Sequence, residues 1–260
     1  MARDTTHALS FGQNVGDYER GRPGYPDAAV EWMLAQSQPG NSPSDTEPTS
    51  GAAQLAVVDV GAGTGKFTSS LVARGLEVTA VEPDSVMRAS LIRSYPTVTA
   101  LQGTGESMPL PDASADLVTF AQAWHWVDVP EASAEVARVL KPSGRLALIW
   151  NIRDQSVDWV ARLGEIMGSS AAEDYDSLTP PVGDALETVE HGQFFWDNPM
   201  SRDQLLAMIT SRSYIIALEP EARAELLVRV WRLLDEHPQL AGHDTYVMPY
   251  QTRVTLARRA

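Results

Sequence analysis

Residues 57–67 read VVDVGAGTGKF, and no other stretch limits the fold so strongly. An apolar run rich in valine leads into three glycines at alternate positions, and a helical pattern follows. Glycine accepts positive φ and lets the backbone come close to a ligand. A strand, a glycine turn and a helix in succession therefore predict the first βαβ unit of a doubly wound sheet. The alternation continues. LAVVDV, EVTAVEPD, VTALQG, ADLVTFAQ and the segment 144–150 predict five strands, with helices over GKFTSSLVARG, 85–93 and 130–140. Their apolar, β-branched centres suit strands buried on both faces.

Beyond residue 151 the rhythm changes. VDWVARLGEIM, SRDQLLAMI and PEARAELLVRVWRLLDEH predict helices, the second opened by a Ser201/Gln204 capping box. QFFW and TYVMPYQTRVTLARR are strand candidates that extend the sheet with antiparallel character. The expected fold class is α/β: a doubly wound, Rossmann-like sheet, mostly parallel with an antiparallel C-terminal strand, and helices on both faces. Residues 37–54 (SQPGNSPSDTEPTSGAAQ) carry no apolar period and predict a flexible loop. They divide an N-terminal segment, 1–36, from a main domain over 55–260.

The glycine turn fits some ligands and excludes others. A phosphate-binding P-loop needs a glycine where Val60 stands and a hydroxyl where Phe67 stands. The dinucleotide pattern Gly-x-Gly-x-x-Gly fails because its third glycine arrives one residue early. The spacing here is Gly61-x-Gly63-x-Gly65, with Ala62 inside the turn and Asp59 two residues before it. The second strand runs out at Glu82, seventeen residues past Gly65, followed by Pro83. A carboxylate at that place accepts from both ribose hydroxyls of a nucleoside ligand.

The short glycine spacing with its leading aspartate resembles motif I of the class I S-adenosylmethionine-dependent methyltransferases. GTGESMPLPDASADLVTFAQAWHW, residues 103–126, is similar to the stretch in the type 11 and type 25 small-molecule groups that borders the adenine. The resemblance implies adenine contacts at Thr104, Gly105 and Glu106, with Thr104 departing from the usual aspartate. It also implies a cofactor contact at Gln122, toward the methionine end. The Ala-Trp-His-Trp sequence and the opening SFGQNVGDYERGRPGYP are similar to the trans-aconitate methyltransferase-like subgroup. That similarity implies that residues 1–36 act as an N-terminal lid, and 151–240 contribute a helical substrate cap. The implied cofactor is S-adenosylmethionine, with S-adenosylhomocysteine as product.

Methyl transfer from a sulfonium asks the protein for position, desolvation and sometimes a base. His125 is the candidate base, since imidazole titrates near neutrality; it can equally be a packed histidine. Tyr18 is a second catalytic candidate from the lid. Arg22 can pair with the carboxylate of the cofactor or of an acidic substrate. Trp124 and Trp126 can wall the acceptor site, or pack on opposite faces of the core.

Bulk composition excludes several other activities. The 260-residue chain has a formal charge of −14 and no cysteine. Its acidity disfavours nucleic-acid partners, and RNA methylation with them. The absence of cysteine removes thiolate chemistry, and five histidines without metal-ligand spacing give no metal site. No run of about 18 apolar residues is present to span a membrane. The opening residues lack a signal-peptide core. A cytoplasmic monomer or homodimer acting on a small-molecule acceptor is expected. The alternatives are an NAD-dependent oxidoreductase, and a methyltransferase-like binding protein without turnover.

Overall fold

The computed structural model describes residues 15–38, 55–168, 175 and 177–260. The predicted flexible loop falls outside these residues except at 37 and 38, and so does the start of the N-terminal segment. Seven strands form one sheet: β1 (Ala56–Val60), β2 (Glu77–Val81), β3 (Thr99–Leu101), β4 (Ala115–Ala121), β5 (Leu140–Arg153), β6 (Leu186–Ser201) and β7 (Thr245–Arg259). Their order is β3-β2-β1-β4-β5-β7-β6. The sheet is mostly parallel with an antiparallel C-terminal strand, as expected from the sequence.

Helices α1 (Val15–Gly21), α2 (Asp27–Gln36), α3 (Lys66–Val72), α4 (Ser85–Ser94), α5 (Val129–Val139) and α6 (Asp158–Met167) come first in the chain. After β6 follow α7 (Arg202–Thr210), the single turn α8 (Ser213–Ile216) and α9 (Pro220–Glu236). Two compact units result. Among the described residues, one comprises 24–38, 55–150, 177–194 and 252–260, and the other 15–23, 151–168, 175 and 195–251.

In the first unit, β1 lies between β2 and β4, with Asp59 opposite Ala80 on one side and Thr119 on the other. The order reverses across β1 and β4, which makes their carboxyl ends the topological switch point where open α/β sheets bind ligands. Val57, Leu117, Ala147 and Ile149 of the sheet are buried with Val30 and Met33 of α2 and Phe67 and Leu71 of α3. Ala29, Val30 and Met33 therefore mark the packed face of α2. Asp84 caps α4, accepting from the N–H groups of Val86 at 2.8 Å and Met87 at 3.0 Å. Asp128 caps α5 through the N–H of Glu131.

The second unit has its own core. Trp159, Val160 and Leu163 of α6 pack with Leu205, Met208 and Ile209 of α7 and Val230 and Leu234 of α9. Tyr246, Met248 and Tyr250 of β7 close it. Three elements differ from expectation. β6 spans 16 residues where QFFW predicted four; Glu187, Glu190 and Asp197 interrupt the apolar signal, because β6 is an edge strand that exposes alternate residues. β5 starts four residues earlier than predicted, with a register shift against β4 between Ala115 and Leu117. Residues 124–126 form a turn of 3₁₀-helix rather than a strand end.

The predicted capping box is present. The Ser201 hydroxyl accepts from the Gln204 backbone N–H at 3.2 Å, and the Gln204 side-chain Oε1 accepts from the Ser201 backbone N–H at 2.8 Å. Ser201→Ala leaves a helix-start donor without its cap, so urea unfolding should show a loss of about 1 kcal/mol. An unchanged midpoint would mean that the cap contributes nothing to stability.

Candidate active site

The glycine turn leaves β1 and enters α3 with Gly61, Gly63 and Gly65 at φ of +65°, +59° and +93°. The constraint is sharpest at Gly61. A Cβ there would stand 2.7 Å from the Ala123 Cβ, in addition to adopting an unfavourable φ. Glycine thus lets the exits of β1 and β4 meet at the switch point. The Gly61 and Ala62 N–H groups both reach the Val81 carbonyl, at 2.8 and 3.3 Å, and tie the turn to the end of β2.

Asp59 lies beneath this turn, fully buried. Its Oδ2 accepts from the Thr68 hydroxyl of α3 at 2.6 Å, and its Oδ1 from the Thr119 hydroxyl of β4 at 2.9 Å. The carboxylate therefore presents no surface to a ligand, and the direct cofactor contact expected of it is corrected to a brace that joins β1, α3 and β4. Neither threonine was singled out from the sequence. The available signal was the parallel register that sets Thr119 opposite Asp59. Burial raises the Asp59 pKa to about 6, against the opposing effect of the two hydroxyl bonds.

Glu82 follows β2, 5% exposed. Its Oε2 accepts from the Gly63 N–H at 2.7 Å and its Oε1 from the Asp84 N–H at 2.8 Å. Arg88 donates to the Glu82 carbonyl at 2.7 Å. Burial raises the Glu82 pKa, while the two backbone N–H bonds oppose the rise. One N–H on each carboxylate oxygen leaves lone-pair capacity on both. That arrangement suits a vicinal diol, which brings one donor for each oxygen.

Next in the chain, Pro83 borders an open cleft of about 460 Å³ lined also by Gln102, Gly103, Thr104, Ser107 and Pro109. The Thr104 N–H donates to the Ser107 carbonyl at 3.1 Å and the Ser107 N–H returns the bond at 3.3 Å, making a closed turn. Gly103 fits this turn because a Cβ would stand 2.9 Å from the Ser107 carbonyl oxygen and the Val81 side chain. Gly105 is buried against Phe120 and Val127. The Glu106 carboxylate accepts from the Asp128 N–H at 2.8 Å, ahead of α5.

At the exit of β4, Gln122 holds φ of +58°, a left-handed conformation rare outside glycine. Its N–H is fixed to the Ile149 carbonyl at 2.8 Å. Such backbone strain persists where surrounding structure enforces it, and it concentrates at functional sites. His125 is partly buried, its ring 4.8 Å from Trp126 at an interplanar angle of 44°. Trp124 takes the second of its two expected places, in the core. It is fully buried, T-shaped against Phe120 at 4.8 Å, with its indole N–H donating to the Pro181 carbonyl at 2.8 Å. The 3₁₀ turn directs this ring into the core, so the acceptor-wall expectation is corrected for Trp124, and Trp126 is the ring left partly exposed. Tyr18 and Arg22 belong to the other compact unit, where the Arg22 guanidinium stands 5.1 Å from the centre of the Tyr18 ring.

A glycine turn at a switch point, with a braced carboxylate at the end of the adjacent strand, is the arrangement that nucleoside-binding α/β domains share. A family model described as "Methyltransferase domain", of type 11, matches residues 58–148. Over 253 residues the chain is 45% identical to the uncharacterised methyltransferase Rv3342 of Mycobacterium tuberculosis (strain ATCC 25618 / H37Rv), covering 96% of this chain and 97% of that one. It is 30% identical over 251 residues to the uncharacterised methyltransferase-like C25B8.10 of Schizosaccharomyces pombe, covering 94% and 93%. A solved structure, of a candidate type II methyltransferase from Anaeromyxobacter dehalogenans, shares the fold with a TM-score of 0.62 at 23% identity, over 92% of this chain and 97% of that one. The chain belongs to the class I S-adenosylmethionine-dependent methyltransferase family, in the type 11/25 group.

Asp59 supplies a test of the brace. Its folded pKa of about 6 exceeds the ordinary 3.8, so the folded state holds the proton more tightly. The stability from this group is full below pH 3.8 and is lost as pH rises through 6, a change of about 3 kcal/mol at 1.36 kcal/mol per pH unit. A carboxamide at this position cannot titrate. Relative to wild type, Asp59→Asn should gain stability by up to that amount between pH 4 and pH 7 in urea unfolding. Parallel pH profiles would show that burial does not hold the proton there.

Proposed function

We propose that the protein transfers a methyl group from S-adenosylmethionine to a small-molecule acceptor. The observation that carries this reading is the Glu82 carboxylate, fixed by the Gly63 and Asp84 N–H groups at the end of β2. In this reading Glu82 accepts from the two ribose hydroxyls, while Gly61, Ala62, Gly63 and Gly65 give the ligand close access to the backbone. Pro83, Thr104, Gly105 and Glu106 border the base, and the open cleft beside Pro83 gives it room. Gln122 stands toward the amino-acid end.

When bound, S-adenosylmethionine would supply an electrophilic methyl carbon, open to in-line attack with the neutral thioether of S-adenosylhomocysteine as leaving group. The chain's own part is to orient and to exclude water. Glu82 fixes the ribose and hence the direction in which the reacting end points. The strained Gln122 backbone holds the β4 exit in one conformation. His125 takes the proton of an alcohol or amine acceptor; for a carboxylate acceptor no base is needed and His125 serves to orient it. Trp126, beside His125, offers a partly exposed aromatic face, and such a face attracts a sulfonium.

Calorimetry with S-adenosylmethionine, S-adenosylhomocysteine and NAD tests the reading. Micromolar binding of both sulfur ligands and none of NAD is expected. In Glu82→Gln the amide nitrogen cannot accept an N–H, and charge-assisted bonds worth about 1.5–3 kcal/mol are lost, so affinity should fall by about 10- to 100-fold. Binding of NAD alone would overturn the assignment.

A further inference from the structure

We propose that the cleft bounded by Trp159 of α6, Asp197 of β6 and Tyr246 of β7 binds a small organic cation, an alkylated ammonium ion that carries an oxygen atom. Every residue lining this cleft belongs to one compact unit, and the proposal does not depend on the methyltransferase reading.

The cleft holds about 370 Å³, within the range of small-ligand sites. Trp159 and Tyr246 line it, both buried, together with Leu240 and the half-exposed Val247. Its walls are fastened to one another by the fold itself. The buried His237, where α9 ends, meets the Asp158 carboxylate of α6 through Nε2 at 2.9 Å, while its Nδ1 accepts from the Gln239 N–H at 3.2 Å. Accepting at Nδ1 assigns the proton of a neutral ring to Nε2, which donates to Asp158. The Asp154 N–H donates to the Pro249 carbonyl at 2.9 Å and joins the segment before α6 to β7. Val157, Gln239 and Pro249, each at or beside one of these bonds, all line the cleft.

The lining selects the ligand. No lysine or arginine lines the cleft, and its one carboxylate is the exposed Asp197. Among the described residues no cation pairs with that carboxylate. An anion would meet Asp197 and no fixed positive charge, whereas a cation answers it. The formal charge of −14 on the whole chain favours the same sign of ligand. Because Asp197 is exposed, its attraction is screened and modest. The two aromatic rings add to it, since their π faces attract an ammonium group and do so more strongly where water is excluded. The indole N–H of Trp159 and the hydroxyl of Tyr246 have no hydrogen-bond partner among the described residues, although the two residues are only 4% and 2% exposed. Such groups are costly to leave unserved. One oxygen on the ligand, with two lone pairs, accepts from both.

Choline chloride is the probe, followed by saturation transfer from the full-length protein to the choline methyl protons. Its uncharged isostere, with carbon in place of nitrogen, is titrated beside it. His243 also lines the cleft, and titration at pH 8 keeps a free imidazole neutral. Wild type should bind choline with a dissociation constant of about 1–10 mM, and the isostere about 5-fold more weakly, the size of a partly exposed cation–π contact. Asp197→Asn should weaken choline by about 3-fold, as loss of an exposed charge pair does. Val247→Lys sets a fixed ammonium on the wall of the cleft and should weaken choline by about 10-fold or more. Both substitutions alter exposed or half-exposed side chains, so both variants should melt within about 2 °C of wild type. Equal binding of the isostere would make this an apolar cleft and overturn the cation assignment. Undiminished choline binding in Val247→Lys would place the cation elsewhere on the acidic surface, and the proposal would fall. Absence of saturation transfer from wild type at about 50 mM choline would overturn it as well.

Discussion

The site depends on one carboxylate being held by the backbone before any ligand arrives. Glu82 takes an N–H from Gly63 on one oxygen and from Asp84 on the other. These bonds join the glycine turn after β1 to the start of α4 after β2. They work against the desolvation that raises its pKa, so the ionised form keeps support although little of the residue meets water. A flexible glutamate would lose rotamer freedom on binding; this one has already lost it, which is how preorganisation raises affinity.

A second carboxylate does the opposite job. Asp59 is fully buried and spends both oxygens on Thr68 and Thr119. It ties β1, α3 and β4 together beneath the turn that Glu82 engages from the side. The result is two acids of one short region with separate roles: one sealed and structural, one at the mouth with acceptor capacity remaining. Burial and partner type divide them, as they do wherever paired carboxylates differ in environment.

Much of this was legible in the residues. Alternate glycines after a valine-rich strand specified the turn, and distance along the chain placed Glu82, because both signals follow local geometry. The helices with a clear apolar face and the capping box at Ser201 were equally local. What the sequence hid depends on tertiary register. Thr119 matters because it lies opposite Asp59 in a parallel pair, which no local pattern announces. Trp124 could wall the acceptor site or pack in the core, and only the 3₁₀ turn, which sends it into the core, decides between them. The length of β6 was masked by charged residues that an edge strand tolerates.

The central claim is that Glu82 reads a ribose diol through oxygens already fixed by the backbone. A double-mutant cycle tests it most directly: calorimetric affinities of S-adenosylhomocysteine and its 2′-deoxyribose analogue, each measured on wild type and on Glu82→Gln. Wild type should lose about 10-fold or more when the hydroxyl is removed, whereas Glu82→Gln should discriminate little between the two ligands, a coupling of about 1 kcal/mol or above. An equal loss in both proteins would show that the hydroxyl and Glu82 act independently, and would contradict the account.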